Sequence, residues 1–189
     1  MRRGQTKRLF YGLMMFLLCA APLSAMDWYQ YQGPDRDLIS SESDWRTDWS
    51  ENEPQIAWKK EMGFGFASIA IDNGRVYSMG NNNDTDYVWC YDAETGKEIW
   101  RHTYACPLHD KQHEGGPCGT PAVDGESVFT ISKIGQMFCM DAKTGDVKWQ
   151  KELTKELGVK PPTWFFAGSV MFEENDIVFK LYTRNSGNP

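Results

Sequence analysis

Positive charge is what this sequence is short of. Twenty Lys and Arg face 26 Asp and Glu, and four of the basic residues, Arg2, Arg3, Lys7 and Arg8, precede the first acidic residue, Asp27. Without residues 1–25 the balance is 16 to 26, a net charge of −10, which argues against nucleic acid or an anionic membrane as partner. Long apolar runs are lacking as well. The run over residues 9–18 is interrupted by Gly12 and soon followed by Pro22, short of the roughly 20 residues a membrane-spanning helix needs. Chemistry-bearing clusters are scarce. There are three histidines, no two cysteines are adjacent, and no Ser-His-Asp arrangement, phosphate loop or zinc-ligand spacing occurs.

The basic start, the short apolar run and the Leu23-Ser24-Ala25 stretch together read as an export signal over residues 1–25, cut after Ala25. Cys19 would be the lipid-bearing residue of a lipoprotein, but the Leu18 before it is larger than that processing prefers. The mature chain is thus expected in the periplasm or at the cell surface, with no transmembrane span left.

What the sequence has in place of a catalytic signature is a repeat. Residues 89–100, WCYDAETGKEIW, return as FCMDAKTGDVKW at 138–149, with Asp92 and Asp141, Thr95 and Thr144, Gly96 and Gly145, and Trp100 and Trp149 at one offset of 49. Such a period filled with short β-prone runs points to one four-stranded blade per repeat, and so to an all-β propeller. Asp and Thr side chains can accept backbone amides in a tight turn, and Gly can take positive φ. The motif's carboxylates are therefore read as hairpin residues, and its tryptophans as wedges between blades.

In chain order, residues 26–54 form an irregular aromatic leader, with Trp28, Tyr29 and Tyr31 set to lie on the blades and Gly33-Pro34-Asp35 turning the chain. Residues 55–189 form a partial propeller. Residues 55–62 carry Trp58, the counterpart of Trp100, and read as an outer strand without its blade. A first blade spans about residues 67–104, with strands near 68–71, 75–79, 87–91 and 98–102. A second spans about 119–153, and a third begins at 168 and is incomplete at 189. Two and a half blades cannot close a ring, so the sequence reads as part of a longer protein. Residues 81–86, NNNDTD, read as a long solvated tip. Asn82, Asp84 and Asp86 alternate as in a calcium loop, but Tyr87 stands where the loop needs Gly and no distal Glu follows.

Links from one blade's outer strand to the next blade's inner strand gather on one face of a propeller, and two here are long. Residues 104–118 carry His109, His113 and Glu114, and 153–167 carry Trp164, Phe165 and Phe166; these six are the candidate binding residues. His109 and His113 are four apart but lie near Pro107 and a Gly pair, so the spacing sets up no shared metal. The aromatic triplet can stack on a flat ligand or pack the loop onto the blades. Four cysteines remain in the mature chain. Cys90 and Cys139 take equivalent strand positions, whereas Cys106 and Cys118 flank one loop and are the favoured pair of the three connectivities.

On DAETGKEIW, DAKTGDVKW, HEGGPCGTPAVDG and the leader QYQGPDRD, the chain resembles the pyrroloquinoline-quinone-repeat propellers of the quinoprotein alcohol dehydrogenase-like superfamily. The leader is similar to the W-x-Q-x-R-G-P-x-R-D opening of exported bacterial members described as quinone-binding-like, with Gln32 in place of the usual Arg. The resemblance implies a full ring of seven or eight blades and two kinds of function. In the enzymes, pyrroloquinoline quinone lies in the channel between a tryptophan and a disulfide of adjacent cysteines, with calcium and an aspartate base beside it. In the scaffold members the same ring is a docking surface. No residue here maps onto the calcium ligands, the base or the vicinal disulfide. The expected function is therefore a non-catalytic binding or scaffold module taking a protein or glycan at its loop face. A quinone- and calcium-dependent alcohol or sugar dehydrogenase is the alternative, and a carbohydrate-binding propeller a second.

Overall fold

In the computed structural model, residues 26–43, 48–50, 53–109, 115–158, 160–162, 164–174 and 176–179 are described. The signal-like residues 1–25, as well as His113 and Glu114, lie outside them. The first sheet is a four-stranded antiparallel meander of β1 (Ala70–Asp72), β2 (Arg75–Asn82), β3 (Thr85–Asp92) and β4 (Glu98–Ala105). The second repeats it with β5 (Ala122–Val123), β6 (Ser127–Ile131), β7 (Gln136–Asp141) and β8 (Val147–Glu152). A one-turn helix, α1 (Leu153–Glu156), leads to a third sheet, the hairpin of β9 (Met171–Glu173) and β10 (Asp176–Val178). Among the described residues no helix is long and apolar enough to cross a membrane.

Each repeat motif closes the β3–β4 or β7–β8 hairpin in the way its residue types dictate. Asp92 Oδ1 accepts the Thr95 amide at 2.8 Å and the Thr95 hydroxyl at 2.6 Å, and Asp141 Oδ1 accepts the Lys143 and Thr144 amides at 2.9 and 3.1 Å. Those bonds stabilise the ionised carboxylates and hold both below the ordinary Asp range. Gly96 and Gly145 adopt φ of 67° and 78°. The strand register slips at Cys90/Tyr91 in one copy and at Cys139/Met140 in the other, so the repeat extends to its β-bulge.

The middle strands β2, β3, β6 and β7 are apolar on both faces because the first two sheets are covered there on both sides. Period-two alternation sends Tyr77, Val88 and Cys90 of the first sheet and Val128, Phe138 and Met140 of the second into the seam between them. The intervening Phe129, Met137 and Cys139 face the third sheet with Phe166 and Val170, while Val76, Trp89 and Tyr91 face Trp58 and Met62. A tryptophan pins the first and the last of these contacts. Trp58 Nε1 donates to Ala93 O at 2.9 Å and Trp100 Nε1 to Ala142 O at 3.0 Å. A Cβ on Gly96 would stand 2.6 Å from the Trp58 ring and one on Gly145 2.7 Å from the Trp100 ring. The motif glycine thus supplies turn conformation and also the floor on which the preceding unit's tryptophan lies.

Residues 55–62 pair with no strand among the described residues, and Trp58 takes the wedge position expected of it. One expectation is corrected: residues 81–86 are not a loose tip. Their ends pair, Asn81 with Asp86 and Asn82 with Thr85, leaving only Asn83 and Asp84 at φ of 51° and 59°. Two successive residues at positive φ are what the right-handed twist of a two-residue hairpin demands, and Asn and Asp tolerate it. Asp86 consequently turns inward and is fully buried.

The leader docks along the inner rim of all three sheets. Trp28 exchanges both backbone hydrogen bonds with Ile71, on the edge of β1 that β2 leaves free, at 2.8 and 3.0 Å. Tyr29 O accepts the Val123 amide of β5 at 2.9 Å, and Gln30 Oε1 accepts the Phe172 amide of β9 at 3.1 Å. The chain then turns at Gln32 and Gly33, both at positive φ, with the Trp28 ring folded against Gly33. Arg36 reaches Glu173 at 2.7 Å.

Candidate binding face

The β2–β3 and β6–β7 turns and the two long links come together at one end of the sheets. Cys106 N donates to Asp84 O at 2.9 Å and Leu108 N to Asp84 Oδ1 at 2.7 Å, which ties the first link to the Asn83-Asp84 turn. The second link is tied to the β6–β7 turn by Phe166 N to Lys133 O and Leu153 N to Gly135 O, both 2.9 Å. Residues 64–66 join the same face: Phe64 bridges Asn81, and Phe66 N donates to Pro117 O at 2.8 Å.

Lys133 connects the two links. Its ammonium is almost wholly buried, donates to His109 O at 2.9 Å and lies 5.0 Å from the Phe165 ring centroid. The His109 and Phe165 rings stack at 4.5 Å and 20°. A carbonyl dipole and a ring face together offset part of the cost of desolvating that charge. Lys133 was missed by sequence reading because a lysine in a hairpin ordinarily faces solvent, and its partners are supplied by two segments distant in the chain.

Beneath Lys133 lies a polar node. Asn81 Nδ2 donates to Asp86 Oδ1 at 2.6 Å and to Cys106 O at 2.9 Å. Asp86 Oδ2, Asn81 Oδ1 and the Tyr104 hydroxyl are buried with no hydrogen bond of good geometry among the described residues, while the Tyr104 hydroxyl and Cys106 thiol lie close enough to Asp86 to act on its carboxyl. Burial pushes the Asp86 carboxyl up, against the opposing pull of Asn81. It also pushes the Tyr104 phenol well above its usual value, with the Asp86 charge adding to the effect. The Cys106 thiol is raised to about 12 by the same burial. The Cys106–Cys118 disulfide expected from the sequence is not formed in this structure: both are free thiols, the first buried and the second half-buried.

The structure separates the sequence candidates. His109 and Phe165 meet; Phe166 is buried beneath Gly135 and packs the link; Trp164 stays 60% exposed. With Phe64 and Phe66, 51% and 55% exposed, Trp164 gives this end of the molecule exposed aromatic surface on a backbone held by hydrogen bonds. Among the described residues no three His, Cys, Asp or Glu are grouped to hold a metal, and the inner edges of β1 and β5 bond the leader. Lys133 is bonded and ring-capped, and burial raises the neighbouring Cys106 and Cys118 thiols.

Four-stranded meanders packed face to face, with a motif tryptophan wedged at the seam, define part of a β-propeller. Residues 41–159 match the family model described as outer membrane protein assembly factor BamB, and the chain belongs to that family. It is similar to the quinoprotein alcohol dehydrogenase PedH of Pseudomonas putida KT2440, 29% identical over 127 residues that make up 67% of this chain and 18% of that protein. Quinohemoprotein alcohol dehydrogenase from Comamonas testosteroni superposes with a TM-score of 0.55 at 15% identity, over 80% of this chain and 22% of that one. BamB from Moraxella catarrhalis superposes at 0.40 and 17% identity, over 59% and 29%. The chain therefore spans less than a third of each of these relatives.

Proposed function

We propose that the chain is part of an exported propeller that acts as a docking module, with the face carrying Phe64, Phe66 and Trp164 taking a protein partner. The observation that carries this is the exposure of three aromatic side chains on a hydrogen-bonded loop surface, since rigid exposed aromatics supply contact area at low entropic cost. The signal-like sequence of residues 1–25 supports export, with the docking event in the periplasm or at the cell surface. The test places a photo-crosslinking residue at Trp164, and a control at Val147 on the outer strand, in the exporting cell. The reading expects one discrete crosslinked protein from position 164 alone, abolished by Phe64→Ser with Phe66→Ser. Equal products from both positions, or a product indifferent to those changes, would sink it.

The second reading, a quinone- and calcium-dependent alcohol or sugar dehydrogenase, is favoured by the identity to PedH. Tight stoichiometric quinone binding with calcium-dependent, dye-linked alcohol oxidation would establish it and displace the docking module. Glycan retention lost on Trp164→Ala, with no protein crosslink, would make the partner a carbohydrate.

A further inference from the structure

At the opposite end of the sheets, where the β1–β2, β5–β6 and β9–β10 turns approach the docked leader, lies a cavity of about 600 Å³. Its apolar walls include Tyr29 from the leader, Phe129 from β6 and Phe172 from β9. Phe172 stands edge-on to Phe129 at 5.6 Å and tilted to Tyr29 at 6.4 Å, so the three rings form an open box. Around it stand three carboxylates, Asp72, Asp124 and Glu174, and among the described residues no lysine, arginine or histidine lines the space.

The carboxylates are unequally committed. Asp124 Oδ1 is occupied by the Glu126 and Ser127 amides at 3.0 and 2.7 Å, holding its turn. Asp72, only 8% exposed, accepts from Asn73 at 2.9 Å through Oδ2 alone and lines the cavity. Asp27 and Asp124 add their negative fields at Asp72, and Arg75, its cross-strand neighbour, is the one opposing charge acting on it among the described residues and does not line the cavity. Metal ions are poorly served by such walls, because rings replace the oxygen ligands that a hard cation needs. A substituted ammonium group is well served: its apolar substituents fill the ring box and its charge is met by ring faces and carboxylates together.

We propose that this cavity binds an organic ammonium cation, with Tyr29, Phe129 and Phe172 enclosing the substituted head and Asp72 supplying the opposing charge. The site is independent of the docking face, at the other end of the sheets. It is also assembled by the leader, since Tyr29 belongs to it and is held there by Val123.

Calorimetric titration of the purified chain with choline, with its neutral isostere 3,3-dimethylbutan-1-ol and with an amidated trilysine peptide tests it. Choline is expected to bind with a millimolar or tighter Kd, about tenfold tighter than the isostere. Asp72→Asn and Tyr29→Leu are each expected to weaken it by about fivefold or more, with unchanged near-ultraviolet circular dichroism, while Trp164→Ala leaves it alone. Trilysine binding with the same sensitivity to both variants assigns the cation to a polypeptide side chain, and choline binding alone assigns it to a free small molecule. An isostere that binds as well as choline, cation binding indifferent to both variants, or binding of neither cation overturns the proposal. Phe172→Leu provides a further variant should Tyr29→Leu loosen the leader.

Discussion

The glycine of each repeat motif has two reasons to be glycine, and they can be separated. Gly96 takes φ of 67°, and a Cβ there would meet the Trp58 ring at 2.6 Å. Gly96→Ala is expected to cost about 2 kcal/mol or more, of which roughly 1 reflects the left-handed backbone. In a Trp58→Leu background the ring is gone and only the backbone part should remain. Urea denaturation of the double-mutant cycle measures this; the same cost in both backgrounds would show that the ring contact contributes nothing. A second expectation concerns the thiols. Burial raises Cys90 to about 11 and Cys106 to about 12, and also raises Cys118 and Cys139, so all four stay protonated near neutral pH, and the protonated form is the unreactive one. A thiol reagent at pH 8 should label half-buried Cys118 first and the other three only on unfolding. If Cys106 and Cys118 resist even the unfolded-state labelling until reductant is added, the two are joined as their loop placement suggests.

At the level of elements, β9 depends on a side chain far from it in sequence. Gln30 is buried, accepts the Phe172 amide and donates to Pro34 O at 3.1 Å. Gln30→Ala leaves both backbone groups without that partner, and a loss of about 1–3 kcal/mol is expected, with faster amide exchange at Phe172. Arg36→Ala removes a pair whose side chains are 39% and 57% exposed and should cost under about 1 kcal/mol. Exchange at Phe172 that responds to Arg36 and not to Gln30 would reverse this assignment. The contrast explains what the sequence could disclose. The Asp-Ala-x-Thr-Gly turns, the strands around them and the seam tryptophans were legible because every partner in a turn lies within a few residues, and because a repeated Trp at fixed spacing must meet a repeated surface. The leader's aromatic content announced docking, yet not the edges it docks on, since Gln30 and Phe172 are 142 residues apart. Lys133 and Asp86 were illegible for a related reason: local pattern gives polar residues in a hairpin to solvent, and only the packing of two long links over them makes them interior. The links were recognised as long segments gathered at one end, while the division of labour within them, Phe166 to the core, Phe165 to Lys133 and Trp164 to solvent, depends on backbone turns that the aromatic triplet does not encode.

At the scale of the whole molecule, three sheets of unequal size are held by two kinds of connection. The first two share a large apolar seam closed by Trp100, and β9–β10 packs on the second through Phe129, Phe166 and Val170. The leader is the one described segment that hydrogen-bonds the inner edges of all three, through Trp28 to Ile71, Tyr29 to Val123 and Gln30 to Phe172. Edge strands of small sheets are otherwise open to water and to pairing with other chains. Removing residues 26–38 should therefore lower stability, and it should do so unevenly. The large seam keeps the first two sheets together, whereas the two-stranded hairpin loses a backbone partner, an ion pair and the Tyr29 ring at once, and an isolated hairpin is marginal in water. A single thermal transition in the intact chain is expected to split, with exchange protection lost first at β9 and β10 and retained in β2, β3, β6 and β7. Uniform loss of protection across all three sheets would instead mean that the leader serves as a general fold requirement and that the third sheet has no separate dependence on it. Because Tyr29 also walls the cavity opposite the docking face, the same truncation should abolish choline binding while crosslinking from position 164 survives, which connects the stability of the inner rim to one site and leaves the other untouched.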